Sequence, residues 1–230
     1  MDFIFMLTRE DQTIEDCLEV YESVRDVPLR HVGFKDVGVD PSTLRRLHDR
    51  IKQDGRTSYM EVVSTSRESC LKSARTATEL GVDCLMGGTQ VDEILPILRG
   101  TRTVYFPFPG IPIGHPTKLG GTAERIASDT AAMVSAGCAG VDLLAYRATE
   151  ANPLDLIRAA RRATDKQVVV AGSINSPARI SDIRAAGADL FTIGTAALDG
   201  SFDPRLGLLA NQLRRILAAC AASDLRANDT

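Results

Sequence analysis

Tryptophan is absent from the 230 residues, aromatic residues make up 5%, histidine occurs three times, and no apolar run is long enough to cross a bilayer. Met1 to Leu7 is apolar but far too short for a span, and it has neither the basic start nor the cleavage site of a signal peptide. No strong charge of one sign is present: a formal net charge of -3, with Lys and Arg scattered among acids, gives no basic field for nucleic acid or anionic lipid. The five cysteines, Cys17, Cys70, Cys84, Cys138 and Cys220, are odd in number and contain no CxxC pair. They read as buried free thiols of a reducing cytoplasm, not as a disulfide frame or a zinc site. HExxH, Walker, nucleophile-elbow and ferredoxin spacings are also missing, which argues against zinc hydrolysis, NTP hydrolysis and serine esterase chemistry.

What is present is a soluble globular composition, 44% hydrophobic and 25% charged, able to build a sizeable core. Short apolar runs alternate with amphipathic segments eight times. The expected strands are Phe3–Leu7, Arg30–Phe34, Ser58–Val63, Cys84–Met86, Thr103–Phe106, Val141–Ala145, Val168–Ala171 and Leu190–Ile193. Asp40-Pro41, Asn152-Pro153, Ser176-Pro177 and Asp203-Pro204 each put a capping side chain before a first-turn proline, and Gly55, Gly81, Gly100, Gly137 and Gly187 fall where helices should end. Eight such units predict a single-domain (β/α)8 TIM barrel over residues 1–220, with a polar C-terminal tail over 221–230. A doubly wound open sheet is the alternative, disfavoured because no GxGxxG follows the first strand.

In a barrel, chemistry sits at the C-terminal ends of the strands. After strands seven and eight the chain turns at Gly172-Ser173 and Gly194-Thr195, which leave bare backbone N–H groups and two hydroxyls at one place. That suits a phosphate. After strand four, Met86-Gly87-Gly88-Thr89 again offers small residues. In strand two, Lys35 shares side-chain parity with Gly33, so it points into the mouth. In strand three, Glu61 falls opposite Met60 and Val62, on the face shared with Tyr59 and Val63. A carboxylate inside a central strand needs a partner, and Lys35 on the adjacent strand is the natural one.

Two readings of the pair stay open. It is either an acid, base or Schiff-base amine with a proton-shuttling carboxylate, or a salt bridge filling the barrel. Arg147, after Tyr146 at the end of strand six, is placed to neutralise a phosphate or an enediolate, or else to pair with Glu150 at the surface. The long fifth loop, Pro107–Thr122, reads as a lid carrying His115 and Lys118 over the mouth. No cofactor is demanded by these residues. Mg2+ held by Asp36 and Glu61 is the metal arrangement they allow.

The segment VVVAGSINSPARISDIRAAGADLFTIGTAAL resembles the closing segment of the ribulose-phosphate-binding (β/α)8 barrel superfamily. That superfamily includes 3-keto-L-gulonate 6-phosphate decarboxylase, 3-hexulose 6-phosphate synthase, N-acetylmannosamine 6-phosphate epimerase and ribulose-phosphate epimerase. The resemblance implies a substrate phosphate held by Gly172, Ser173, Gly194 and Thr195, and a homodimer. Tyr146-Arg147 looks like the His-Arg pair that ends strand six in the keto-gulonate decarboxylases. The DxKxxD signature of the decarboxylase and synthase branch and the metal-binding His and Asp set of the epimerases have no counterpart here.

The expected function is therefore an enzyme acting on a small phosphorylated sugar or keto acid. Its reaction is carbon–carbon cleavage, as a decarboxylase or aldolase, or proton transfer next to a carbonyl, with Lys35, Glu61, Arg147 and His115 as catalytic residues. The alternatives are a sugar-phosphate epimerase or isomerase, a non-catalytic barrel that senses a phosphorylated metabolite, and an FMN enzyme using the same turns. The expected partner is a small phosphorylated substrate in the cytoplasm, not nucleic acid or membrane.

Overall fold

The structure, a computed structural model, describes residues 1–62, 64–114 and 116–227. Its parallel strands are β1 (Asp2–Met6), β2 (His31–Lys35), β3 (Thr57–Glu61), β4 (Cys84–Met86), β5 (Val104–Phe106), β6 (Gly140–Leu143), β7 (Gln167–Val170) and β8 (Leu190–Ile193). They run in the order β6-β7-β8-β1-β2-β3-β4-β5, each beside its neighbour in sequence. The amides of Ala139 and Asp142 donate to the carbonyls of Tyr105 and Pro107 at 3.0 and 2.9 Å, which draws β6 against β5 and nearly closes the ring. The fold is a single (β/α)8 barrel.

The helices are α1 (Cys17–Ser23), α2 (Pro41–Gln53), α3 (Arg67–Leu80), α4 (Val91–Leu98), α5 (Ala123–Ser135), α6 (Pro153–Ala163), α7 (Pro177–Ala185), α8 (Thr195–Leu198) and α9 (Leu209–Ala227). Asp40, Asn152 and Ser176 accept hydrogen bonds from first-turn amides of α2, α6 and α7, so these three Pro-led starts are true caps. Asp203-Pro204 departs from the pattern. The Asp203 carboxylate is taken by Arg205, its amide is held by Gln212, and the segment makes a turn before α9 begins. Helix α9 runs through Ala227, into the stretch that reads as a tail. Among the described residues no helix is long and apolar enough to cross a membrane.

Alternation along each strand sorts the core into two layers. Val32, Phe34, Met60, Val62 and Leu85 face outward to the helices, where Leu47 and Ile51 of α2 are buried. Ile4, Met6, Tyr59, Cys84, Met86, Phe106, Val169 and Leu190 fill the barrel interior. Gly33 makes room inside: a Cβ there would lie 2.3 Å from the Met6 sulfur. At the N-terminal end, His31 and Tyr59 close the barrel through a 3.1 Å contact between Nδ1 and the phenol oxygen. All five cysteines are free and buried, and burial pushes the Cys84 thiol up to about 12.

Two hairpins rise from the C-terminal rim. Thr8–Arg9 pairs antiparallel with Gln12–Thr13, and Ile111–Ile113 with Lys118–Gly120. The second lies within the long fifth loop and is bridged to the β6 side by Leu119 and Ala148. His115, at its turn, lies outside the described residues, as does Val63.

Leu47→Ala removes a fully buried side chain between α2 and the outer face of the sheet. It should cost about 2–5 kcal/mol in urea unfolding, with the slope unchanged.

Candidate active site

Lys35 and Glu61 are register partners at the ends of β2 and β3. Their side chains point inward and meet, Nζ to Oε2, at 3.2 Å, and only 6% and 5% of the two residues is exposed. A third charge completes the arrangement: Lys35 Nζ also donates to Asp11 Oδ1 at 3.0 Å. Arg147 binds the same carboxylate twice, Nη1 to Oδ2 at 2.9 Å and Nη2 to Oδ1 at 3.0 Å. The result is a buried row, Glu61, Lys35, Asp11 and Arg147, of alternating sign.

Asp11 sits in the two-residue turn of the first hairpin, where both Glu10 and Asp11 have positive φ, 48° and 58°. Such turns favour Asn-Gly or Asp-Gly, and non-glycine residues in them carry strain. The buried bonds of Asp11 to two cations offset that cost. Arg147 is not a surface partner of Glu150. Strand β6 stops at Leu143, and a 3-10 turn over Ala145–Arg147 swings the guanidinium inward. Nη1 also donates to the Thr117 carbonyl at 3.3 Å, tying the fifth-loop hairpin to the row.

Charge fixes protonation in the row. Burial pulls the Lys35 ammonium down, but Glu61 and Asp11 outweigh it, so its pKa lies above the ordinary lysine value. Burial likewise pushes Asp11 up, and the Arg147 hydrogen bonds and the Lys35 charge more than reverse this, holding the carboxyl well below the usual range. Lys35 is thus an ammonium, and an ammonium is an acid.

The row opens onto a cavity of about 610 Å3. It is lined as well by Gly172, Ser173, Gly194 and Thr195, the residues expected to hold a phosphate. Gly172 has φ 78° and its Cα packs against Arg147, so that a Cβ would lie 2.5 Å from Nε. Ser173 follows at φ 61°. The amides of Ser173, Thr195 and Ala196 have no acceptor among the described residues. Arg179 lines the same cavity, its guanidinium 4.6 Å from the centre of the Tyr146 ring and bonded to the Ser173 carbonyl.

Other expected residues stand elsewhere. Asp36 accepts a hydrogen bond from Ser73 on α3 and does not line the cavity, while Glu61 is held by Lys35. The two carboxylates considered for Mg2+ therefore take different partners. Lys118 is exposed on the hairpin, and Pro116 is the cavity-lining residue of that loop. Asp11, Asp142 and Arg179 were not legible as site residues. Asp142 carried the same signal as Glu61, a carboxylate within an apolar strand.

No family model matches the chain and no curated protein matches it. Solved structures do. A 3-hexulose-6-phosphate synthase aligns with TM-score 0.64 at 16% identity, over 95% of this chain and 98% of its own. Orotidine 5'-phosphate decarboxylase from Pyrococcus horikoshii OT3 gives 0.64 at 12%, over 96% and 99%. A chain of the BexX/CysO complex of Amycolatopsis orientalis gives 0.62 at 20%, over 96% and 89%. At these identities the likeness shows the fold. The alignments cover nearly the whole chain, so the barrel architecture expected from the sequence is shared with these structures along its length.

Two outcomes follow. Gly172→Ala should destabilise by roughly 1–3 kcal/mol, read by chemical unfolding, because the position needs positive φ and the new methyl displaces Arg147. Because the Asp11 pKa is depressed, its stabilisation is present above the unfolded-state value near ~3.9 and is lost as pH falls below it. Unfolding free energy measured from pH 7 down to pH 3 should fall more steeply for the natural protein than for Asp11→Asn.

Proposed function

We propose that this chain is an enzyme that cleaves a carbon–carbon bond next to a carbonyl in a small phosphorylated sugar or keto acid, a lyase of the decarboxylase or aldolase kind. The observation that carries this is Lys35, buried between Glu61 and Asp11 in the lining of a cavity that the Gly172-Ser173 and Gly194-Thr195 turns also line. The names of the synthase and decarboxylase neighbours, both of phosphorylated compounds, support the same class.

In this reading the substrate phosphate accepts hydrogen bonds from the amides of Ser173, Thr195 and Ala196 and from the Ser173 and Thr195 hydroxyls, with Arg179 beside it. That anchors the molecule and aims its carbonyl end at Lys35. The bond next to the carbonyl breaks with its electron pair left on the substrate as an enediolate or carbanion, while the departing carbon leaves as CO2 or, its hydroxyl proton passing to the Glu61 carboxylate in the cavity lining, as an aldehyde. Lys35 and Arg147 face that developing negative charge. The Lys35 ammonium then gives a proton to the carbon and becomes a neutral amine. Held as a cation by two carboxylates, Lys35 acts as an acid and not as an imine-forming nucleophile. Glu61 and Asp11 keep the ammonium in place, and the fifth-loop hairpin, tied to Arg147 through Thr117, walls the mouth.

A thermal-shift panel tests the reading with inorganic phosphate, a pentulose 5-phosphate, a hexulose 6-phosphate and a phosphorylated keto acid. A shift with a phosphorylated compound should vanish in Thr195→Asp, an exposed position. Gly194 is unsuitable for this, since a Cβ there lies 2.9 Å from the Met6 and Thr8 carbonyls and disturbs the backbone directly. The compound that binds should be converted with release of a fragment or CO2 and uptake of one solvent deuterium at carbon. Lys35→Met should slow that turnover by roughly 10²- to 10⁴-fold. Binding without turnover would make the barrel a sensor, and a borohydride-trapped adduct on Lys35 would replace the acid with a Schiff base.

A further inference from the structure

The bidentate ion pair at the mouth of the barrel joins two of the chain's own residues. Arg147 closes both ends of its guanidinium on Asp11, Nη1 to Oδ2 at 2.9 Å and Nη2 to Oδ1 at 3.0 Å, and Lys35 Nζ adds a bond to Oδ1 at 3.0 Å. A planar fork on a carboxylate with an ammonium beside it is also how a protein recognises the carboxylate of a ligand. Asp11, Lys35 and Arg147 all line the cavity, and the turn after β7 packs against Arg147 through Gly172. The cradle thus belongs to the cavity, and a side chain of the protein fills it.

Asp11 reaches the cradle from a turn that can let go of it. The base of the hairpin is fixed: Thr13 Oγ1 accepts from the Lys35 amide and donates to the Lys35 carbonyl, both at 2.8 Å, and the Ile14 amide donates to Leu7 O at 3.0 Å. Its tip is held differently. Glu10 is exposed, neither turn residue is glycine although both have positive φ, and the tip is tied to the barrel through the Asp11 carboxylate. That backbone conformation is unfavourable for both residues, so the turn relaxes once the carboxylate is released. Charge decides what can replace it. Lys35, Asp11 and Glu61 are almost fully buried, and with Arg147 they sum to zero. Asp142, completely buried on β6, adds nothing, because burial and then the Glu61 charge push its pKa well above the ordinary value. A neutral group in place of Asp11 leaves two cations against Glu61 alone, whereas a carboxylate restores the balance. A phosphate, carrying about −1.5 to −2 near pH 7, overshoots it.

We propose that Asp11 is an internal stand-in for a substrate carboxylate: the ligand's own carboxylate takes its place between Arg147 and Lys35, and the substrate is a phosphorylated keto acid in preference to a phosphorylated sugar. This rests on the function proposed above and selects between the two substrate classes it leaves open. The incoming carboxylate sits where Asp11 sat, so the Lys35 ammonium keeps two anionic neighbours and stays an acid. Asp11 moves out to water with the turn and returns when product leaves, and at neither stage is the buried charge unbalanced. Selection works by exchange. A sugar phosphate with only hydroxyl groups beside its carbonyl brings no anion to the cradle and has to bind with Asp11 in place. Asp11 is therefore a specificity-determining residue, acting through the cations it covers.

Binding and turn mobility, both measured on the full chain, test the exchange. Asp11→Asn removes the competing charge and leaves a residue that tolerates positive φ. It should bind a phosphorylated keto acid at least about tenfold more tightly than the natural protein does, while a ketose phosphate of the same length changes by less than about threefold. The turn is read with Asp11 intact. Gln12 is exposed beside Asp11 and all five cysteines are buried, so a spin label on Gln12→Cys goes to the hairpin alone. Its spectrum should narrow with the phosphorylated keto acid, and with pyruvate at high concentration, and should not change with the ketose phosphate. Equal gains in affinity for both compounds, weaker binding of the keto acid to Asp11→Asn, or an unchanged spectrum with the keto acid bound would overturn the proposal. If pyruvate frees the turn while no phosphorylated compound binds, the function proposed above fails and the exchange stands. If ketose phosphates bind and are cleaved while neither keto acid frees the turn, the exchange fails and that function stands.

Discussion

The Asp11 carboxylate accepts from Lys35 through one oxygen and from Arg147 through both, and it does so from the tip of a hairpin only two residues long on each side. Four loops are linked here: the turn after β1 and the 3-10 turn after β6 directly, and, through the contacts of Arg147 with Thr117 and Gly172, the fifth-loop hairpin and the turn after β7. Buried ion clusters return little net stability, because desolvation consumes most of the Coulomb gain. What they enforce is completeness. Removing one member leaves the others charged and poorly hydrated, so the rim of the barrel is held in one arrangement by mutual need. The left-handed conformations of Glu10 and Asp11 are tolerated under that constraint.

The barrel itself was largely legible. Apolar runs of four or five residues, proline-led caps and helix-ending glycines are local signals, and each is decided by backbone sterics or one hydrogen bond. The parity argument that sent Lys35 and Glu61 inward also held, since side chains alternate along a strand whatever surrounds it. Asp203-Pro204 misled because a cap signal counts only if a helix follows, and here Gln212 on α9 claims the Asp203 amide and carbonyl for a turn.

The site was legible by half. Glu61 stood out as an acid in an apolar strand, and Asp142 carried the same signal between Val141 and Leu143 but had no neighbouring cation in sequence to draw attention to it. Asp11 was hidden more thoroughly. Glu10-Asp11 lacks the glycine that marks a tight hairpin, so the turn that aims it is specified by distant partners. Arg147 was read as facing the site, with a surface pair to Glu150 as the alternative, and its Asp11 partner was not foreseen. A surface ion pair with Glu150 needs only neighbouring residues, whereas its bond to Asp11 spans 136 positions and exists only because the barrel brings β6 round to β1.

In the proposed function, holding a ligand and reacting with it fall to different linings of one cavity. The turns after β7 and β8 offer backbone N–H groups, small residues and one stacked arginine, a lining that would suit a phosphate ester with little regard to the rest of the molecule. The ends of β2 and β3 offer a cation clamped by anions, whose chemistry would depend on where the protons sit. A lysine between two carboxylates has its acidity set by them. In the proposed reaction the reactivity is therefore a property of the whole charge set, Asp11, Lys35, Glu61 and Arg147, drawn from four strand ends. No single residue or local motif could have announced it.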